Sequence, residues 1–157
     1  MIKVIGIGDY CISNDPQAVL TTYALSSCVA LTAYEPNRLI LGMVHIALPD
    51  SALAKVQPVS RPAHYVDTAV PFLIGRICAE YVCLRDNLVI QIYGGASSIR
   101  ENDSFKIGPR NLQMMEEILR RMNLKPNYAD IGGNVARSLE VDVATGIVKV
   151  KYQPLQI

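Results

Sequence analysis

Hydrophobic and polar positions along this chain repeat with two different periods. Lys3 to Gly8, Val19 to Thr22, Val29 to Tyr34 and Leu39 to Leu48 are short runs rich in β-branched or aromatic residues, and they predict strands. From Asp67 the period lengthens: Val70, Leu73, Ile74, Ile77, Cys78 and Tyr81 share one face of a helix. Pro71 is then expected in the first turn, where its missing N–H costs little. Leu88 to Tyr93 reads as a strand running into Gly94-Gly95. A second helix starts near Pro109, with Leu112, Met115, Ile118, Leu119 and Met122 on one face and Arg120 and Arg121 suited to its C-terminal end. Tyr128 to Ile131, Ser138 to Val143 and Ile147 to Tyr152 are further strands. The last two flank Ala144-Thr145-Gly146 and alternate strictly, setting Leu139, Val141 and Val143 against Ile147 or Val148 and Val150 in a hairpin with one wet face. The polar, proline-bearing stretch from Pro49 to His64 reads as a long loop.

Strands that follow one another without intervening helices favour an α+β fold over a doubly wound parallel sheet. The 157 residues contain no repeat, low-complexity tract or linker, so residues 1–157 are taken as a single domain. Half of them are hydrophobic and 18% are charged, enough apolar matter for a core without disulfides.

Charge and cysteine usage narrow the function classes. Fifteen basic and fourteen acidic residues leave a formal charge of +1 with no dense basic run, which argues against a nucleic-acid partner. Met1 to Gly6 alternates like a strand and lacks the regions of a signal peptide, and no apolar run approaches a membrane span. A cytoplasmic protein with no membrane insertion is expected. Cys11, Cys28, Cys78 and Cys83 show neither C-x-x-C spacing nor histidines at ligand spacing, so no structural zinc or other cofactor is called for, and disulfides are not expected.

One segment carries candidate chemistry. Glu35-Pro36-Asn37-Arg38 has the residues of a type I turn between two apolar strands, so a hairpin is the simplest reading. A turn centred between Pro36 and Asn37 places Cys28 directly across from His45, with Cβ atoms about 5 Å apart on one face. A slip of two keeps the pair diagonal, and a slip of one sends them to opposite faces. A thiol beside an imidazole can pass its proton to nitrogen and become an activated nucleophile. A small packed cysteine and a hydrogen-bonded core histidine satisfy the same spacing. The polar approach Ser26-Ser27 suggests a loop whose backbone N–H groups face a developing oxyanion, and Thr22 ends a strand where its hydroxyl can orient the imidazole. His64 reads as a surface residue, Cys11, Cys78 and Cys83 as packing, and the two Gly-Gly segments as tight turns near a site.

Taken in order, V-I-G-I-G-D-Y at 4–10, S-C-V-A around Cys28, M-V-H-I-A-L-P-D-S at 43–51, Y-V-D-T-A-V at 65–70, G-G-A-S at 94–97, I-G-P-R-N at 107–111 and G-G-N-V-A-R at 132–137 resemble the CheD family of bacterial chemotaxis proteins. The resemblance implies a glutamine deamidase acting on chemoreceptor cytoplasmic domains, a hydrolase of carbon–nitrogen bonds in linear amides. It implies Cys28 as nucleophile, His45 as base and Thr22 as assisting hydroxyl. It also implies a mixed or antiparallel β-sandwich-like core flanked by helices, as in the catalytic domain of cytotoxic necrotizing factor. A CheC-type phosphatase is an implied partner, and a regulatory binding module with little or no turnover is the alternative reading; a hydrolase of small amides is a third. The chain departs from the family in two places. Ala24-Leu25-Ser26-Ser27-Cys28 replaces a Gly-Leu-Gly-Ser-Cys pattern, a change that restricts the backbone wherever φ must be positive. Pro109 stands where glycine is commoner and removes a backbone donor.

Overall fold

The computed structural model describes residues 1–54, 60–97 and 105–155. Among the described residues two sheets and two α-helices form three layers. One sheet has the order β1 (Ile2–Val4), β3 (Val19–Leu25), β8 (Val135–Asp142), β9 (Val148–Pro154); the other has β2 (Asp9–Ser13), β5 (Ile40–Ile46), β4 (Val29–Glu35), β6 (Val89–Gly94), β7 (Tyr128–Ile131). Helices α1 (Val66–Tyr81) and α2 (Ile107–Arg121) cover the outer face of the five-stranded sheet. This is the expected α+β sandwich flanked by helices.

The middle layer explains why β4 and β5 are so uniformly apolar: every residue in both is buried. Val29, Leu31, Ala33, Val44 and Ile46 point at α1 and α2. Ala30, Tyr34, Leu41 and Met43 point the other way, at Leu20, Leu25, Leu139 and Val141 of the four-stranded sheet. Burying two faces takes a run of apolar residues, whereas a sheet with one wet face takes alternation. Gly42 lets α1 lie close to β5, since a Cβ there would come within 2.6 Å of Ile77 Cδ1.

Several boundaries differ from expectation. The first strand ends at Val4, and Asp9–Ser13 is a separate strand that the sequence reading missed, because Gly6 to Gly8 break the run and Gly8 has φ 76°. Pro71 sits beyond the first turn, because α1 starts at Val66; the proline is exposed, so the Asp67 carbonyl it leaves unbonded is near water. The stretch from Pro49 to His64 holds 3₁₀ turns at Ser51–Leu53 and Pro62–His64, while residues 55–59 lie outside the described residues. Pro109 costs no helical bond, since it falls in the first turn of α2, where the N–H groups have no intrahelical partner. In the C-terminal hairpin Val141 faces Val148 and Leu139 faces Val150.

β3 carries a bulge between Thr22 and Leu25. One extra residue shifts the side-chain alternation, so Leu20, Thr22 and then Leu25 all point inward. The bulge is made by Ala24, which is exposed and has φ 55°. That is the position where the resembling pattern has glycine. Of the two residues that replace glycine in this loop, Ala24 and Ser26, only Ala24 is in the left-handed region, as Ser26 has no positive φ. A left-handed conformation costs an alanine roughly 1–2 kcal/mol, and glycine loses somewhat less than that in chain entropy. Ala24→Gly should therefore stabilise the fold by about 0.5–1 kcal/mol, read as a rise in the denaturant midpoint with unchanged slope.

Candidate active site

Strand register sets the site. Ala30, not Cys28, faces His45, and Glu35 faces Ile40, so the connection is the four residues from Pro36 to Leu39. The expected direct opposition of Cys28 and His45 is thus corrected by a slip of two. The reason lies in the turn: Leu39 takes φ 55° and Glu35 accepts the Arg38 backbone N–H at 2.7 Å, which closes a longer loop. A slip of two preserves the face. His45 lies opposite Ala30, two residues after Cys28, and Cys28 packs against the second core cluster, between the two sheets.

Thr22 comes from that facing sheet. Its Oγ1 donates to the Ile5 carbonyl at 2.6 Å and lies 2.7 Å from His45 Nδ1. A hydroxyl has one hydrogen, and a carbonyl can only accept. With that hydrogen given to Ile5, Nδ1 must be the donor to Oγ1. The imidazole is thereby held with its lone pair on Nε2. That atom is buried and has no hydrogen-bond partner among the described residues. Thr22 is 0% and His45 2% exposed, so water does not compete for either ring nitrogen.

Burial dominates the electrostatics. It lowers the His45 pKa to about 4, against a smaller opposing pull from the Ile5 carbonyl. Burial also raises the Cys28 thiol above its ordinary value, while the residue's own backbone N–H favours the thiolate weakly. Both groups are neutral at pH 7 in the resting site, so the proton has yet to move. The same burial links stability to pH. An unfolded chain binds a proton at His45 near pH 6.5, and the folded chain refuses it until about pH 4. The His45 contribution to stability is therefore fully present above pH 6.5, is lost as the pH drops from 6.5 to 4, and changes no further below that. The expected loss is up to about 3 kcal/mol. His64 is also shifted down, by burial and by Arg61, and adds to the same trend. Urea unfolding of wild type and His45→Gln at pH 7 and pH 4.5 isolates the part due to His45, which the variant should lack.

The loop before Cys28 is held through its carbonyls. Ala96 N–H donates to Ser26 O at 2.7 Å, Asn111 Nδ2 to Ser27 O at 2.9 Å, and Gly95 N–H to Cys28 O at 2.9 Å. In trans peptides the N–H opposes the preceding C=O. The amides of Ser27 and Cys28 consequently point away from the Gly95-Ala96 segment and α2. Gly94, at φ 102°, permits this approach, since a Cβ there would lie 2.3 Å from Cys28 O.

Other candidates fall elsewhere. His64 is half-buried rather than on the surface, because its carbonyl accepts from Ala47 and Leu48 N–H and holds the turn against β5. Cys78 and Cys83 pack beside the outer core cluster and Cys11 beside the inner one. The Gly132 and Gly94 turns are joined by Gly132 N–H donating to Gly94 O at 2.9 Å and Ser97 N–H donating to Gly133 O at 2.8 Å. Arg137 is tied to the same region by its ion pair with Asp130 and its 2.9 Å bond to Gly132 O. Sequence reasoning gave no role to Asn111 or to the Gly95-Ala96 amides. Their signal was present only as unexplained members of the two motifs at 94–97 and 107–111.

Comparison with known proteins decides the family. Residues 47–152 match the family model described as CheD chemotactic sensory transduction. The chain belongs to the CheD family. The family match starts two residues after His45, and full-length CheD relatives extend the similarity over the N-terminal strands. The Syntrophotalea carbinolica protein named "Probable chemoreceptor glutamine deamidase CheD" is 40% identical over 94% of this chain and 91% of its own. The chemoreceptor glutamine deamidase CheD of Thermotoga maritima is 36% identical over 96% of this chain and 92% of its own. A third CheD relative, from Anaeromyxobacter dehalogenans, is 36% identical over 96% of this chain and 94% of its own. No helix of the described residues is long and apolar enough to cross a membrane.

Proposed function

We propose that this CheD protein is a chemoreceptor glutamine deamidase in which Cys28 is the nucleophile, His45 the general base and acid, and Thr22 the residue that fixes the imidazole. The observation that carries the reading is the 2.7 Å contact of Thr22 Oγ1 with His45 Nδ1, which leaves Nε2 unpartnered in the layer that holds the thiol. As a receptor glutamine enters, the Cys28 proton moves to Nε2 and Sγ bonds to the side-chain amide carbon. The amides of Ser27 and Cys28, turned away from α2, are suited to the developing oxyanion, a role the sequence placed on Ser26 and Ser27. The imidazolium gives its proton to the departing nitrogen, ammonia leaves, and a γ-glutamyl thioester remains. Water, losing a proton to Nε2, attacks the thioester carbon; the C–S bond breaks, the thiol regains its proton, and the receptor carries glutamate. The receptor gains a negative charge at each such position, which changes repulsion between neighbouring helices.

The test is to mix the purified protein with receptor cytoplasmic fragments and follow ammonia and peptide mass. A gain of about one dalton at specific glutamines, with stoichiometric ammonia, is expected from replacing –NH₂ by –OH. Tight binding of a receptor or of a CheC-type phosphatase without ammonia from any fragment would replace this reading with the regulatory one.

A further inference from the structure

We infer that Asn111 is a positioning residue for this reaction, one that sets the separation of Cys28 and His45 by bridging the two segments that carry them. The inference rests on the reading of Cys28 and His45 proposed above. Asn111 lies in the first half of α2 and is 0% exposed. Its single amide nitrogen donates twice, to Ser27 O at 2.9 Å and to Ala47 O at 3.2 Å. Ser27 immediately precedes the nucleophile, and Ala47 follows the base by two residues.

The bridge has no backbone substitute. Ser26 O and Cys28 O are both taken by backbone N–H groups of the β6 exit, while the carbonyl between them is reached by the Asn111 side chain. α2 is seated to make this reach. A Cβ on Gly108 would lie 2.1 Å from Ala96 O and 2.8 Å from Gly95 O, so the first turn of the helix rests directly on that exit. Asn111 is one turn further on and faces the same way.

The orientation of the amide is fixed by chemistry. Turned over, Oδ1 would face two carbonyl oxygens, so Nδ2 must be the atom that points at them. Oδ1 is then left buried with no hydrogen-bond partner among the described residues. A stranded acceptor offsets much of what the two bonds return, and an apolar side chain would fill the space without that cost. Stability alone does not favour asparagine here. Holding two reacting groups in register does, because a misplacement of about 1 Å is enough to cost on the order of 100-fold in rate.

The test compares Asn111→Ala, the near-isosteric Asn111→Asp, Ile118→Ala and Cys28→Ala on a receptor cytoplasmic fragment. Ile118 is a core residue of the same helix and makes no bond to the catalytic loop, so it supplies a matched loss of thermal stability. Both Asn111 variants should lose about 10- to 100-fold in kcat with KM changed less than about threefold. Ile118→Ala, assayed below its melting temperature, should keep wild-type kcat. Wild-type turnover in a folded Asn111 variant overturns the inference, as does an equal loss of kcat in Ile118→Ala. Failure of both Asn111 variants to fold makes the residue purely structural and overturns it too. Cys28→Ala separates the two levels: if it releases ammonia, the site reading itself has failed, whereas an inactive Cys28→Ala beside an active Asn111→Ala removes this inference alone.

Discussion

Cys28→Ala will reduce ammonia release from receptor fragments by at least about 10⁴-fold and leave the fold in place. The size of the effect follows from the chemistry: without Sγ there is no acceptor for the glutamyl group, and removing the nucleophile from a site that works as a unit costs as much as dismantling it. Water attacking the amide directly would meet a carbonyl far less reactive than a thioester, with no covalent intermediate to divide the step. Folding should be spared, because the substitution removes one partly buried heavy atom at the edge of the inner core cluster, a loss of about 1 kcal/mol. Circular dichroism and a melting curve establish the fold, and the mass gain at receptor glutamines measures the activity. Substantial deamidation by a folded Cys28→Ala protein would remove the thiol from the mechanism.

Much of this was legible in the sequence where one physical rule dominates. α1 was readable because its apolar residues keep the helical period for the whole element, and β8 with β9 because one wet face enforces alternation. β4 and β5 were readable as strands, but their register was not. Turn residues suggested a two-residue connection, and the chain makes a four-residue one with Leu39 in the left-handed region. A shift of two conserves the face of the sheet on which each strand residue lies, whereas a shift of one reverses it. β2 was missed since Asp9–Ser13 follows directly on a glycine-interrupted run and has little periodicity of its own.

Contacts across layers were the least legible part. Thr22 belongs to the four-stranded sheet and His45 to the five-stranded one, so their hydrogen bond depends on how two sheets stack. Nothing in local spacing encodes that distance. Its only trace was a threonine at the inner end of a strand, and the bulge at Ala24 that turns Leu25 inward had no trace beyond the absent glycine. Asn111 is more hidden still, because its two acceptors are backbone carbonyls 84 and 64 residues away.

His45→Asn carries the second large effect, an expected loss of about 10²- to 10⁴-fold in kcat, the usual range for removing a group that both takes and returns a proton. Asparagine is a strict choice of replacement. Its amide nitrogen stands where Nδ1 stood and can still donate to Thr22 Oγ1, so the link between the sheets persists and a loss of rate cannot be assigned to a collapsed site. What it lacks is a basic lone pair where Nε2 stood. The thiol of Cys28, already held protonated by burial, then has no base to relieve it. The loss should shrink as pH rises toward the raised thiol pKa, since thiolate then forms without help, while the wild-type profile should stay flat down to the acid limb set by His45 near pH 4. A variant whose rate remained pH-independent and close to wild type would mean that some other group accepts the thiol proton, and the Thr22 contact would then be a packing bond between two sheets.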